Sequence, residues 1–174
     1  MSKLFEAYIK SRNLINNKDQ DFFECVVDLL ESDDIQSLEK FYQHQNVTRL
    51  EHILSVSYLS FLICRRLGLD FREAARGALL HDLFFYDWHE SDPSHRLHGY
   101  RHPTFALNNA RKIFGPLSPM TENIIIRHMW PLTPTPPKYK ESFIVSFVDK
   151  YCTTQEILTS KFKRKIYEYL YPKN

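Results

Sequence analysis

The tightest constraint in this sequence is a histidine beside an aspartate, His81-Asp82, closing the run Ala74-Ala-Arg-Gly-Ala-Leu-Leu80. A helix so rich in Ala and Leu can only be buried. A His and an Asp carried into an interior are costly unless something there satisfies them. Three other apolar stretches pose the same problem. His52 stands one turn into a helix whose same-face neighbours are Val56, Leu59 and Ile63. His128 follows Ile124-Ile125-Ile126 with only Arg127 between, and Asp149 follows Phe143, Ile144, Val145, Phe147 and Val148. Any one of these side chains is explained by a hydrogen-bonded place in the core. Four apolar helices that each send a ligand-type residue inward are explained more economically by a divalent cation, which binds carboxylates and neutral imidazoles.

The remaining punctuation predicts an all-α fold. Only four glycines occur, and no stretch alternates convincingly at period two. Residues 3–15, 20–31 and 34–44 carry apolar residues at helical spacing. Thr48-Arg-Leu-Glu51 has the form of a capping box, opening a helix that runs to about Arg66 and stops at Gly68. Asp70-Phe-Arg-Glu73 repeats the box and leads to His81-Asp82. Residues 85–101 have no clear period and read as a long polar loop, a kind that is often functional. Pro103 suits the first turn of a helix ending at Phe114, with Gly115 closing it. Ser118-Pro119 opens another helix, to about Met129. Pro131, Pro134, Pro136 and Pro137 then exclude regular structure. One helix is expected from about Tyr139 to Tyr151, and another from Thr153-Thr-Gln-Glu156 to near Tyr169. The expectation is a single domain over 1–174. Its core lies at about 46–158, with the N-terminal helices (3–44) and a C-terminal helix (154–170) packed on it.

Charge and cysteine usage narrow the class. A formal net charge of +2 does not suggest a dedicated nucleic-acid binder, and the basic run Lys161-Phe-Lys-Arg-Lys165 reads as a solvated helix face. Cys25, Cys64 and Cys152 are odd in number and far apart, with no C-x-x-C, so neither a disulfide framework nor a cysteine zinc site is expected. No run approaches the ~18 apolar residues of a membrane span. The N-terminus lacks the apolar core of a signal peptide. A cytoplasmic protein without membrane partners is expected. His89-Glu90 lacks the second His of an H-E-x-x-H protease motif.

The order His52, His81-Asp82, Asp149, on separate helices, resembles the HD superfamily of metal-dependent phosphohydrolases over about residues 46–158. His102 and His128, between the pair and the last Asp, resemble its binuclear branch. His102 is preferred to His98, which lies further back in the polar loop. The resemblance implies a compact helical HD bundle. One ion would be held by His52, His81, Asp82 and Asp149, and a second by Asp82, His102 and His128, with Asp82 bridging. Mixed His and carboxylate donors without thiolate suit Fe, Mn, Co, Ni or Zn, as one or two ions. The implied activity is hydrolysis of a phosphomonoester or phosphodiester, most simply of a nucleotide. Such an ion lowers the pKa of bound water from ~15.7 toward ~7, making hydroxide available for attack. Asp82 and Lys150 are the candidate catalytic residues, with Asp87 a candidate proton shuttle. Arg101, Arg127, Lys138 and Lys150 are candidate contacts to substrate phosphate. Tyr86, Trp88 and Trp130 are placed either to stack on a base or to pack loops. A non-catalytic, nucleotide-sensing HD module is the alternative.

Overall fold

A computed structural model describes residues 17–44, 47–90, 93 and 96–170, with side chains described within 20–158. The helix expected over 3–15 lies outside the described residues. Helix α1 (Asn17–Leu30) follows its apolar spacing: Phe22, Cys25, Val26, Leu29 and Leu30 are all buried on one face. The helix expected over 34–44 is instead three short pieces. These are α2 (Asp33–Ser37), a 3-10 turn (Leu38–Lys40) and strand β1 (Tyr42–His44), which pairs antiparallel with β2 (Val47–Thr48). Tertiary demand overrides local propensity here. The Phe41 carbonyl accepts from the Arg49 N–H at 2.8 Å, and the extended backbone carries Gln43 into the interior.

Helix α3 (Arg49–Arg66) starts as expected: Thr48 and Glu51 make both halves of the capping box. It ends in a Schellman motif. Gly68, at φ 67°, lets the Leu69 N–H reach the Cys64 carbonyl at 2.9 Å and its own N–H reach Arg65 at 3.3 Å. In α4 (Phe71–Leu80) only half of the second box forms. Asp70 accepts from the Glu73 N–H, but the Glu73 carboxylate turns to the hydroxyls of Ser118 and Thr121 instead. That contact ties α4 to α6 (Pro119–Arg127), whose cap is Ser118 as expected. Close approach of the two helices requires Gly77, where a Cβ would lie 2.7 Å from the Ile124 side chain.

Two boundaries differ from expectation. Helix α5 spans His98–Phe114, so it begins five residues before Pro103 and leaves that proline inside its second turn. Helix α7 (Lys140–Leu170) runs unbroken through the expected stop at 151–153. Thr154 is not a cap there; its hydroxyl donates to the Lys150 carbonyl at 2.7 Å, one turn back. Val148 and Cys152 continue the buried face across the join, so the helix has packing to retain.

Helix α3 sits centrally, against α4 and α7, with α4 also against α1 and α6. Phe61, Leu50, Ile53 and Leu79 fill the core beneath. The fold is all-α apart from the two short strands. The three cysteines are buried and none is in a disulfide. Among the described residues, no helix is long and apolar enough to cross a membrane.

Candidate metal centre

Six side chains expected to meet do meet. His52 comes from the second turn of α3, His81 and Asp82 from the end of α4, and His102 from α5. His128 caps α6, and Asp149 lies on α7. All six are buried. The Nε2 atom of His52 lies 3.2 Å from Asp149 Oδ1, and that of His81 lies 3.7 Å from the same oxygen. His81 Nε2 is 3.6 Å from Asp82 Oδ2. The other oxygen, Asp82 Oδ1, faces the opposite side, 3.2 Å from His102 Nε2 and 3.6 Å from His128 Nε2.

What each imidazole does with its other nitrogen decides the chemistry. His81 Nδ1 bonds the Ala78 carbonyl at 2.6 Å, His102 Nδ1 that of His98 at 2.9 Å, and His128 Nδ1 that of Ile125 at 2.7 Å. A carbonyl only accepts, so each of these three rings carries a proton on Nδ1 and, when neutral, presents a bare lone pair on Nε2. The Nε2 atoms of His102 and His128 lie 2.8 Å apart. Two lone pairs at that distance repel unless a positive charge stands beside them. His81 Nε2 and Asp82 Oδ1 are fully buried and make no hydrogen bond, which costs free energy as it stands. Converging lone pairs, two carboxylates and two orphaned buried atoms fit divalent cations. Two groups, His52/His81/Asp149 and His81/Asp82/His128, each bring one donor atom per residue within 4.8 Å of the others.

The same contacts set the electrostatics of these groups, and against its burial Asp82 and Asp149 raise the pKa of His81. Burial opposes ionising Asp82 and Asp149, yet the imidazoles around each hold both well below the usual carboxylate range. Burial likewise opposes a charged His52, but Asp149 and Glu156 raise its pKa to about 10. Burial, reinforced by His81 and His102, lowers His128 to about 3.

Several residues that shape the centre were not anticipated. The Glu156 carboxylate accepts from His52 Nδ1 at 3.0 and 3.1 Å, across 104 residues. Gln43 donates its amide to Asp82 Oδ2 at 2.6 Å while accepting from Arg49 Nε at 3.0 Å. Arg49 is wholly buried. It also donates to the carbonyls of Phe84 (2.7 Å) and Tyr86 (3.1 Å) and stacks its guanidinium 3.6 Å from the Phe84 ring centroid. Glu156 was hidden in a stretch resembling a helix start. Gln43 was hidden in a stretch resembling a helix. Arg49 was visible only as the residue inside a capping box.

A cavity of about 210 Å³ opens over the centre, lined by Asp82, His102, His128 and Asp149 and, around them, by Gln43, His44, Trp88 and Lys150. His98 lines it too, its ring stacked on His102 at 4.5 Å and on Trp88 at 5.4 Å. The early start of α5 thus brings His98 out of the expected loop and onto the same helix face as His102. Among the residues expected to meet substrate phosphate, Lys150 lines this cavity. Its ammonium donates to the His128 carbonyl at 2.7 Å and lies 3.8 Å from Asp149 Oδ2. Arg101 lines a separate groove, with its guanidinium 5.1 Å from the Phe105 ring, because it falls on the next face of α5. Lys138 is exposed and lies over the Tyr139 ring, and Arg127 is not in the cavity lining. Asp87 does not line the cavity either; its carboxylate accepts from the backbone N–H of His89 at 2.9 Å and bonds that ring at 2.8 Å. Trp88 faces the cavity, whereas Trp130 packs against Phe143 and Phe147.

The family model for the HD domain matches residues 49–154, and the chain belongs to this family. Its superfamily consists in general of metal-dependent phosphohydrolases. Ribonuclease Y of Protochlamydia amoebophila (strain UWE25) is 46% identical over 61 residues, which are 35% of this chain and 11% of that protein. The chain therefore spans only a small part of that curated relative. No solved structure is a significant match.

Proposed function

We propose that this protein hydrolyses a phosphomonoester or phosphodiester of a small substrate, most simply a nucleotide, at two divalent ions. In this reading His52, His81, Asp82 and Asp149 hold one ion, and Asp82, His102 and His128 hold the other. The observation that carries it is the Asp82 carboxylate, whose Oδ2 lies beside the His81 imidazole while its Oδ1 lies beside those of His102 and His128. Ions bound there supply a water of lowered pKa and positive charge for phosphate oxygens. The donors are mixed N and O without thiolate, which suits Fe, Mn, Co, Ni or Zn.

The protein's own groups supply the rest. Gln43, braced by Arg49, fixes the Asp82 carboxylate so that Oδ1 remains turned toward His102 and His128. Lys150 places an ammonium on the cavity wall beside Asp149, where it adds to the charge that an anionic phosphate meets. Trp88 and His44 offer aromatic faces at the cavity, which supports a substrate carrying a base.

The test is phosphate release from p-nitrophenyl phosphate, its bis ester and a nucleotide panel, with Mn²⁺ added to the full chain. Turnover is expected with at least one substrate, falling by on the order of 10²–10³-fold or more in His81→Ala and Asp82→Ala. Tight nucleotide binding with no turnover under any of the five metals would favour the regulatory alternative.

A further inference from the structure

The four imidazoles of the centre are not held alike. His81, His102 and His128 each give their Nδ1–H to a neutral backbone carbonyl three or four residues earlier in the chain. His52 instead meets a carboxylate carried by another helix, with both oxygens of Glu156 within 3.1 Å of Nδ1. Glu156 follows Asp149 by seven residues, two helical turns, on the unbroken helix α7. One helix face therefore grips both nitrogens of one ring: Asp149 lies 3.2 Å from Nε2 and Glu156 lies at Nδ1. The His52 side chain is fully buried and that of Glu156 is 12% exposed, so this contact is little screened by water.

Resting on the two-ion reading above, we infer that Glu156 is a positioning residue that makes the His52 corner the tighter of the two metal sites and the first to fill. A carboxylate accepting from Nδ1–H fixes the tautomer, aims the Nε2 lone pair at Asp149 and His81, and makes imidazole a stronger donor. A backbone carbonyl does the first two of these but adds no full negative charge. Removing such a partner costs about 10–100-fold in metal affinity. Continuity of α7 is what delivers Glu156, so the stretch Thr153-Thr-Gln-Glu156 serves the metal site instead of starting a helix.

The experiment is a titration of the full chain with Co²⁺ against a chromophoric chelator, with circular dichroism to confirm folding. Wild type should bind two ions with separable constants. Glu156→Ala should weaken the tighter site by about 10–100-fold and leave the weaker one in place. Glu156→Gln keeps an acceptor oxygen but loses the charge, and should fall between. It should also change the visible spectrum of the first Co²⁺ equivalent, which a merely structural role would leave alone; if the alanine variant does not fold, the glutamine variant decides. Unchanged constants in a folded variant, or an equal drop at both sites with an unchanged first-equivalent spectrum, would overturn the inference. A wild-type chain that binds no ion would instead overturn the reading beneath it.

Discussion

The two corners of the centre are built in opposite ways. At the His102/His128 corner each ring is fixed by its own stretch of chain, through carbonyls three or four residues back. At the His52/Asp149 corner His81 is held locally in the same way, but the partners of His52 are remote: Asp149 is 97 residues away in sequence and Glu156 is 104. Asp82 joins the corners, and it too is aimed from a distance, by Gln43 at 39 residues. The difference teaches that the proposed metal centre combines locally encoded donors with donors that only the assembled fold can orient.

The largest effects should separate the corners. His102→Ala is expected to lower the bound metal from two ions to one and leave the ion at His52. His52→Ala is expected to do the converse, read by metal analysis of the dialysed protein. If either variant loses both ions while still folded, the corners are one cooperative site and the comparison breaks.

A smaller effect is expected from the brace behind Asp82. Arg49→Leu leaves Gln43 Oε1 and the Phe84 and Tyr86 carbonyls without their donor. It should lower stability by more than about 2 kcal/mol in urea unfolding. An unaltered midpoint would show that water replaces the guanidinium and that the brace is dispensable.

The smallest effect sharpens the contrast through pH. In the metal-free protein His52 stays protonated below about 10, while His128, lowered to about 3, is neutral throughout the physiological range. Between pH 6 and 9 an ion at the His52 corner must displace a proton, so affinity there should rise with pH by up to about tenfold per unit, and its lead over the other corner should be largest at the alkaline end. His128 has no proton to release at the other corner. Calorimetry in buffers of different ionisation enthalpy would count the released proton; equal pH slopes at both sites would contradict the assignment.

What the sequence disclosed follows the same division. His81-Asp82 closing an Ala/Leu helix needs no partner to be recognised as a buried liability, and the caps at Thr48, Asp70 and Ser118 are signals four residues long. Gly68 marked the end of α3 for the same local reason. The misread residues are those whose role is set elsewhere. Glu156 sits in a cap-like stretch, but the buried face through Val148 and Cys152 keeps α7 intact. Gln43 lies in a segment of helical pattern that strand pairing and the Asp82 contact pull straight. The sequence pattern puts His98 in a loop because Pro103 suits a first turn, whereas the helix begins before it.

The most direct test of the central claim is the number of ions per chain after reconstitution with Mn²⁺ and removal of excess, measured beside the Asp82→Ala variant. Two ions in the wild type and loss of tight binding at both corners in the variant are expected, since one Asp82 oxygen lies beside His81 and the other beside His102 and His128. Two tightly held ions in the folded variant, or none in the wild type, would contradict the account.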